Sequence, residues 1–145
     1  MNTLIRNARR KDFDAVVSLL TQLWPGKSVN PKNLVRTLDR MVFSDNTELL
    51  CAERDGRIVG FASLATLSNL WQEGLILYLT TMIVDEQHRR SGIGKLFMER
   101  ILEIAREKGC AKIELESAFN RIEAHAFYEK MGFEKRAYFF SKDVS

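Results

Sequence analysis

The stretch Leu75–Leu96, LILYLTTMIVDEQHRRSGIGKL, constrains this chain more than any other. Its first part is a run of apolar and β-branched residues too dense for a surface strand, so Leu75–Val84 reads as a buried strand near the middle of a sheet. The run then breaks into charge at Asp85, Glu86, Gln87, His88, Arg89 and Arg90. Ser91-Gly92-Ile93-Gly94 leads into apolar residues at Ile93, Leu96, Phe97, Ile101, Ile104 and Ala105, a helical spacing. A strand, a basic glycine-bearing loop and a helix start, in that order, make an anion site. Glycine lets a backbone approach an anion closely, and the unpaired N–H groups and dipole of the first helical turn favour negative charge.

Two phosphate-binding loops are excluded by particular residues. A P-loop NTPase needs glycine where Arg89 stands and Ser or Thr where Leu96 stands. A dinucleotide fingerprint needs a third glycine at Phe97. The segment Arg89-Arg90-Ser91-Gly92-Ile93-Gly94 instead resembles the Arg-x-x-Gly-x-Gly pyrophosphate loop of the GCN5-related N-acetyltransferases, the GNAT superfamily. Asn120–Phe133, NRIEAHAFYEKMGF, resembles that family's second signature, a helix carrying Phe-Tyr-Glu-Lys and ending in Gly-Phe. Room for one helix and one strand separates the two signatures.

The resemblance implies a single GNAT domain over residues 1–145 with an α/β fold. Expected are a mixed central sheet of six to seven strands, about four flanking helices, and two parallel strands splayed around the pantetheine arm of acetyl-CoA. On that pattern Met82, Ile83 and Val84 present backbone to the cofactor, and Arg89, Arg90, Ser91, Gly92, Ile93, Gly94 and Lys95 cradle its diphosphate. Asn120 stands near the family's pantetheine-binding asparagine, one residue further from Tyr128 than usual. Tyr128 takes the place of the family's proton donor to the departing thiolate, or else packs against pantetheine and hydrogen-bonds the sulfur. The base that deprotonates the amine is expected to be Glu73, just before the long strand, with Glu116 as the other candidate. His125 is more simply structural, and His88 part of the loop.

Elsewhere the chain reads as ordinary globular protein. Its 46% hydrophobic and 28% charged residues suit one domain with a real core. No apolar run approaches the roughly 20 residues of a membrane span, and the N-terminus lacks a signal-peptide pattern, so the expected compartment is the cytoplasm. Cys51 and Cys110 lie far apart without metal-ligand spacing and read as small hydrophobes. A net charge of +3, with basic residues interleaved among acidic ones, gives little support to nucleic-acid binding.

The remaining elements are set by local signals. Thr3–Ala8 and Ala111–Ser117 read as strands, and Glu48–Glu53 and Arg57–Leu64 as a hairpin across Asp55-Gly56. Asp12 and Asn30-Pro31 start two helices, with Trp24 near the end of the first as a core aromatic or a substrate-pocket residue. A last helix spans about Arg121–Met131, and Phe133–Ser141 read as one or two final strands. The function implied is transfer of an acetyl group from acetyl-CoA to a primary amine of a small molecule by direct attack. A protein amine, or a non-catalytic acyl-CoA-binding role, is the alternative, and a homodimer is the family's habit.

Overall fold

The structure, a computed structural model, describes residues 2–145. Its elements run β1 (Thr3–Asn7), α1 (Phe13–Leu23), α2 (Pro31–Val42), β2 (Thr47–Arg54), β3 (Arg57–Asn69), β4 (Gly74–Val84), α3 (Ile93–Glu107), β5 (Lys112–Leu115) and α4 (Ile122–Lys130), with short 3-10 turns before α1 and α3. The strands form one mixed sheet in the order β1-β2-β3-β4-β5. Its first three pairs are antiparallel, and α3 is the crossover that brings β5 alongside β4. By contacts the chain divides into two compact units, residues 1–114 and 115–145.

Both faces of the sheet are covered. On one face Phe13, Val16, Leu19 and Leu20 of α1 and Leu38 of α2 share a buried cluster with Leu49, Cys51, Phe61 and Ile83. On the other, α3 buries Ile93, Phe97, Met98, Ile101, Ile104 and Ala105. That double cover explains why β2 and β3 are buried at successive positions, where a half-solvated sheet would alternate. Gly60 shows how closely α3 approaches: a Cβ added there would meet the Phe97 ring at 2.7 Å. Gly60→Val is therefore expected to lower stability by about 1–3 kcal/mol, read as a lower melting temperature, because the ring is fully enclosed and cannot swing aside. An unchanged melting temperature would contradict this packing.

Local signals held where they were strongest. Asp55 and Gly56 both have positive φ (52° and 76°) and close the hairpin with Arg54 opposite Arg57. Asn30 Oδ1 accepts the Asn33 N–H at 3.1 Å with Pro31 in the first turn of α2. Both cysteines are free, and burial pushes the Cys51 thiol up to about 12.

Four expectations need correction. The sheet has five strands, not six to seven, because residues 133–145 join no ladder. Aromatic composition gives Phe133–Ser141 strand propensity, but a strand exists only where an edge pairs with it, and Tyr138, Phe139 and Phe140 are exposed. Second, β4 is interior as expected, between β3 and β5, but it is not buried throughout, since Leu75 and Thr80 are exposed. Third, the β3–β4 hairpin is longer than expected: β3 continues to Asn69, so the loop at Ser68–Gly74 shrinks to a tight turn. Fourth, Asp12 makes no side-chain cap for α1. Its carboxylate instead accepts from the Arg6 guanidinium at 2.8 and 3.0 Å and from the Arg9 N–H at 2.8 Å. Arg6, which also donates to Glu53, holds the Asp12 carboxyl below the usual carboxylate range.

Among the described residues no helix is long and apolar enough to cross a membrane.

Candidate active site

The site is built first on β4. Its ladder with β3 skips a residue, since Ser63 faces Thr81 while Leu64 faces Leu79, leaving Thr80 as the extra residue of a bulge. The Thr80 hydroxyl lies 2.6 Å from Ser63 Oγ and donates to Ser63 O at 3.0 Å, which pins the bulge to a buried partner. A pair of threonines interrupting an apolar run was the sequence signal for it.

Beyond the bulge, β4 outruns its other neighbour. Ala111 N–H donates to Leu75 O at 2.8 Å, so β5 begins beside the start of β4, and its four residues end roughly level with Leu79. A four-residue strand in that register is too short to reach Met82, Ile83 and Val84. On the β3 side these same residues face Ala62, Phe61 and Gly60. A thioester arm that pairs like a strand would find its backbone partners at this end of β4.

At Val84 the chain turns into the basic corner. Arg89 Nε donates to Val84 O at 3.1 Å, which seats its guanidinium at the strand end. Ser91 Oγ donates to His88 O and lies 3.4 Å from an Arg54 Nη1 donor. Arg90 and Gly92 take left-handed backbone (φ 63° and 85°), so the loop doubles back to start α3 at Ile93. Gly92 is the N-cap and no side chain caps the helix. The first helical bond is Leu96 N–H to Gly92 O at 3.1 Å, which leaves the amides of Ile93, Gly94 and Lys95 ahead of the ladder. Nothing lies within 4 Å of a Cβ built at Gly92, so the approach is open. Orphan amides, the dipole of a 15-residue helix, and Arg89, Arg90 and Lys95 fit a diphosphate.

In the second unit, Tyr128 is buried on α4, edge-on to Phe127 at 5.5 Å and to Phe133 at 5.7 Å between ring centroids. Burial pushes its phenol above the ordinary value, with Arg121 partly opposing, so it stays protonated at neutral pH. Asn120 is exposed in the turn before α4, and Glu116 is exposed after β5. His125 Nε2 lies 2.8 Å from Ala118 O, a structural bond.

Glu73 is placed at the opposite end of β4 from Val84. It sits at the tip of the β3–β4 hairpin, exposed, with φ 55° and its N–H bonded to Leu70 O at 3.1 Å. Val84 lies at the far end of β4, about 35 Å away along the strand, and even the Thr80 bulge is about 23 Å away. Trp24 packs against the α1 cluster with Lys27 Nζ 5.3 Å above its ring, in keeping with a core aromatic.

Two residues that sequence reasoning passed over hold the corner in place: Gln22 and Asp85 are hydrogen-bonded across 63 positions. Both also line a polar cavity of about 590 Å³ with Arg6, Asp12, Glu53 and Arg57, whose lining includes no residue of the 89–95 loop.

A bulged strand feeding a basic, uncapped helix start suits a protein that takes a phosphate-bearing ligand. A family model described as the acetyltransferase (GNAT) family matches residues 2–133, and the chain belongs to that family. It is 36% identical over 131 residues to a glucosamine 6-phosphate N-acetyltransferase of Trypanosoma brucei brucei, covering 89% of this chain and 87% of that one. It is 26% identical over 134 residues to an aminoglycoside N(6')-acetyltransferase type 1 of Stenotrophomonas maltophilia, covering 90% and 86%. Among solved structures, an aminoglycoside N-acetyltransferase in complex with CoA shares the fold with a TM-score of 0.84 at 20% identity, covering 97% of this chain and 95% of that one. The protein is an N-acetyltransferase with acetyl-CoA as its co-substrate.

Proposed function

We propose that this enzyme transfers the acetyl group of acetyl-CoA directly to a primary amine of a small molecule, with an amino sugar as the first class of acceptor. The observation that carries the acceptor class is the likeness, over nine-tenths of the chain, to two acetyltransferases named for amine-bearing sugars.

Direct attack fits the chemistry of the cysteines. A covalent acetyl-enzyme needs a ready thiolate, whereas the Cys51 thiol is buried and pushed up to about 12, and burial raises Cys110 too. In this reading Arg89, Arg90, Ser91, Gly92, Ile93, Gly94 and Lys95 bind the diphosphate, and backbone groups of Met82, Ile83 and Val84 hold the pantetheine arm. A strand N–H near Val84 steadies the developing oxyanion. Tyr128 donates a hydrogen bond or proton to the departing sulfur, and Asn120 contacts pantetheine.

The proton on the attacking nitrogen is the remaining step, because alkylammonium groups titrate near 10. If the thioester lies beside Met82–Val84, Glu73 at the hairpin tip is too far along β4 for direct or single-water proton transfer. Glu73→Gln is accordingly expected to hold kcat within about twofold at saturating amine. A loss of a hundredfold would restore it as the direct base. We place the reaction in the cytoplasm and the enzyme in the homodimeric state common in its family.

The deciding assay is thiol release from acetyl-CoA, with the acetylated product identified by mass. The amines to compare are glucosamine 6-phosphate, an aminoglycoside, a simple polyamine and a lysine peptide. Turnover on a sugar amine at least tenfold above the peptide is the expected result. Preference for the peptide would overturn the small-molecule reading.

A further inference from the structure

We propose that Gln22 is a positioning residue for the coenzyme's diphosphate, its side-chain amide holding the Asp85–Gly92 corner in binding-competent shape from helix α1. The proposal rests on the assignment of this corner to the diphosphate.

Gln22 is next to last in α1 and reaches the corner with both ends of its amide. Nε2 donates to Asp85 Oδ1 at 3.0 Å, and Oε1 accepts the Glu86 N–H at 3.0 Å. Only this orientation satisfies both partners, a carboxylate that accepts and an N–H that donates.

Asp85 is the hub of the corner's hydrogen bonds. Its N–H donates to Val59 O at 2.8 Å, one rung beyond the last β3–β4 ladder pair, Gly60 opposite Val84. Its Oδ2 lies 2.8 Å from His88 Nδ1, and its own carbonyl accepts the His88 N–H at 2.8 Å. His88 O in turn accepts from Ser91 Oγ, one residue before the Gly92 N-cap. A continuous path of hydrogen bonds thus runs from Gln22 through Asp85, His88 and Ser91 to the start of α3. Gln22 also holds the Asp85 carboxyl below its usual range, with His88 adding to it, so Asp85 is ionised and can serve as acceptor to both.

The chemistry explains why an amide is needed. Leucine has similar bulk but can neither donate nor accept. Glutamate keeps an acceptor for Glu86 N–H yet brings a second carboxylate against Asp85. In either variant the corner becomes mobile in the free enzyme, and binding must then supply the order that Gln22 had installed.

Gln22→Leu and Gln22→Glu test this by calorimetry with coenzyme A alone and by steady-state kinetics with acetyl-CoA and with acetyl-pantetheine, which lacks the diphosphate. Expected are a roughly tenfold weaker Kd for coenzyme A and a matching rise in KM for acetyl-CoA. Saturated kcat, and kcat/KM on acetyl-pantetheine, should stay within about twofold. That split separates positioning from simple damage to the fold, which would depress both donors alike. Unchanged Kd in both variants, or a parallel loss on acetyl-pantetheine, overturns the role of Gln22. A native enzyme that prefers acetyl-CoA to acetyl-pantetheine by no margin overturns the diphosphate reading itself, a result that does not depend on any Gln22 variant.

Discussion

Gly92→Asp should weaken coenzyme A binding on the order of 100-fold, the loss expected when one or two charge-assisted hydrogen bonds to phosphate are replaced by repulsion. Gly92 stands at the N-cap of α3 with φ 85°, and the amides of Ile93, Gly94 and Lys95 follow it. A carboxylate there would draw those N–H groups to itself and set a negative charge at the proposed diphosphate site. The fold should survive. Nothing lies within 4 Å of the new Cβ, so the cost is left-handed backbone strain of about 1 kcal/mol, a shift of about 2–4 °C in melting temperature. Gly92→Ala carries the strain without the charge and should lose less than about tenfold. Calorimetry with coenzyme A reads all three proteins, and a Gly92→Asp Kd equal to the native one would remove the loop from the binding site.

Tyr128→Phe is expected to lower kcat on the order of 100-fold, the lower end of what a positioned proton donor contributes, with coenzyme A affinity unchanged. The hydroxyl is the only group removed, and both ring contacts, to Phe127 and Phe133, survive in phenylalanine. Burial also fixes the pH behaviour. A raised phenol keeps its proton to higher pH than a free one, so Tyr128 should impose no loss of activity until pH exceeds the ordinary phenol value of about 10. The same shift makes full proton transfer to a thiolate of pKa near 8.5 uphill, favouring hydrogen-bond donation over complete transfer. Native kcat in the phenylalanine variant would show that the leaving sulfur departs unaided.

What could be read along the chain was what neighbouring residues settle among themselves. The strand, basic loop and helix of Leu75–Leu96, the Asp55-Gly56 turn and the Asn30-Pro31 cap each rest on a few adjacent backbone and side-chain groups. The family's two signatures are of that kind, so membership was legible before any coordinate. The final strands were not, because Tyr138, Phe139 and Phe140 carry propensity while pairing depends on a partner edge. The place of Glu73 was not legible either. Glu73 adjoins β4 in sequence, but the extended strand sets it about 35 Å from Val84, which no sequence neighbourhood reveals.

By itself, then, the sequence determined the basic loop and helix start after Val84, the helices that cover the sheet, and the family. These follow from φ preferences, caps and apolar periods, which act over a turn or two of chain. Tertiary structure alone decided that β4 outruns β5 beside Met82–Val84, that Arg6 rather than a helix claims Asp12, and that Gln22 steadies Asp85. Each of those depends on groups brought together by burial of the two apolar faces. The free energy of that burial is collective, and no local pattern records which polar atoms it will leave side by side.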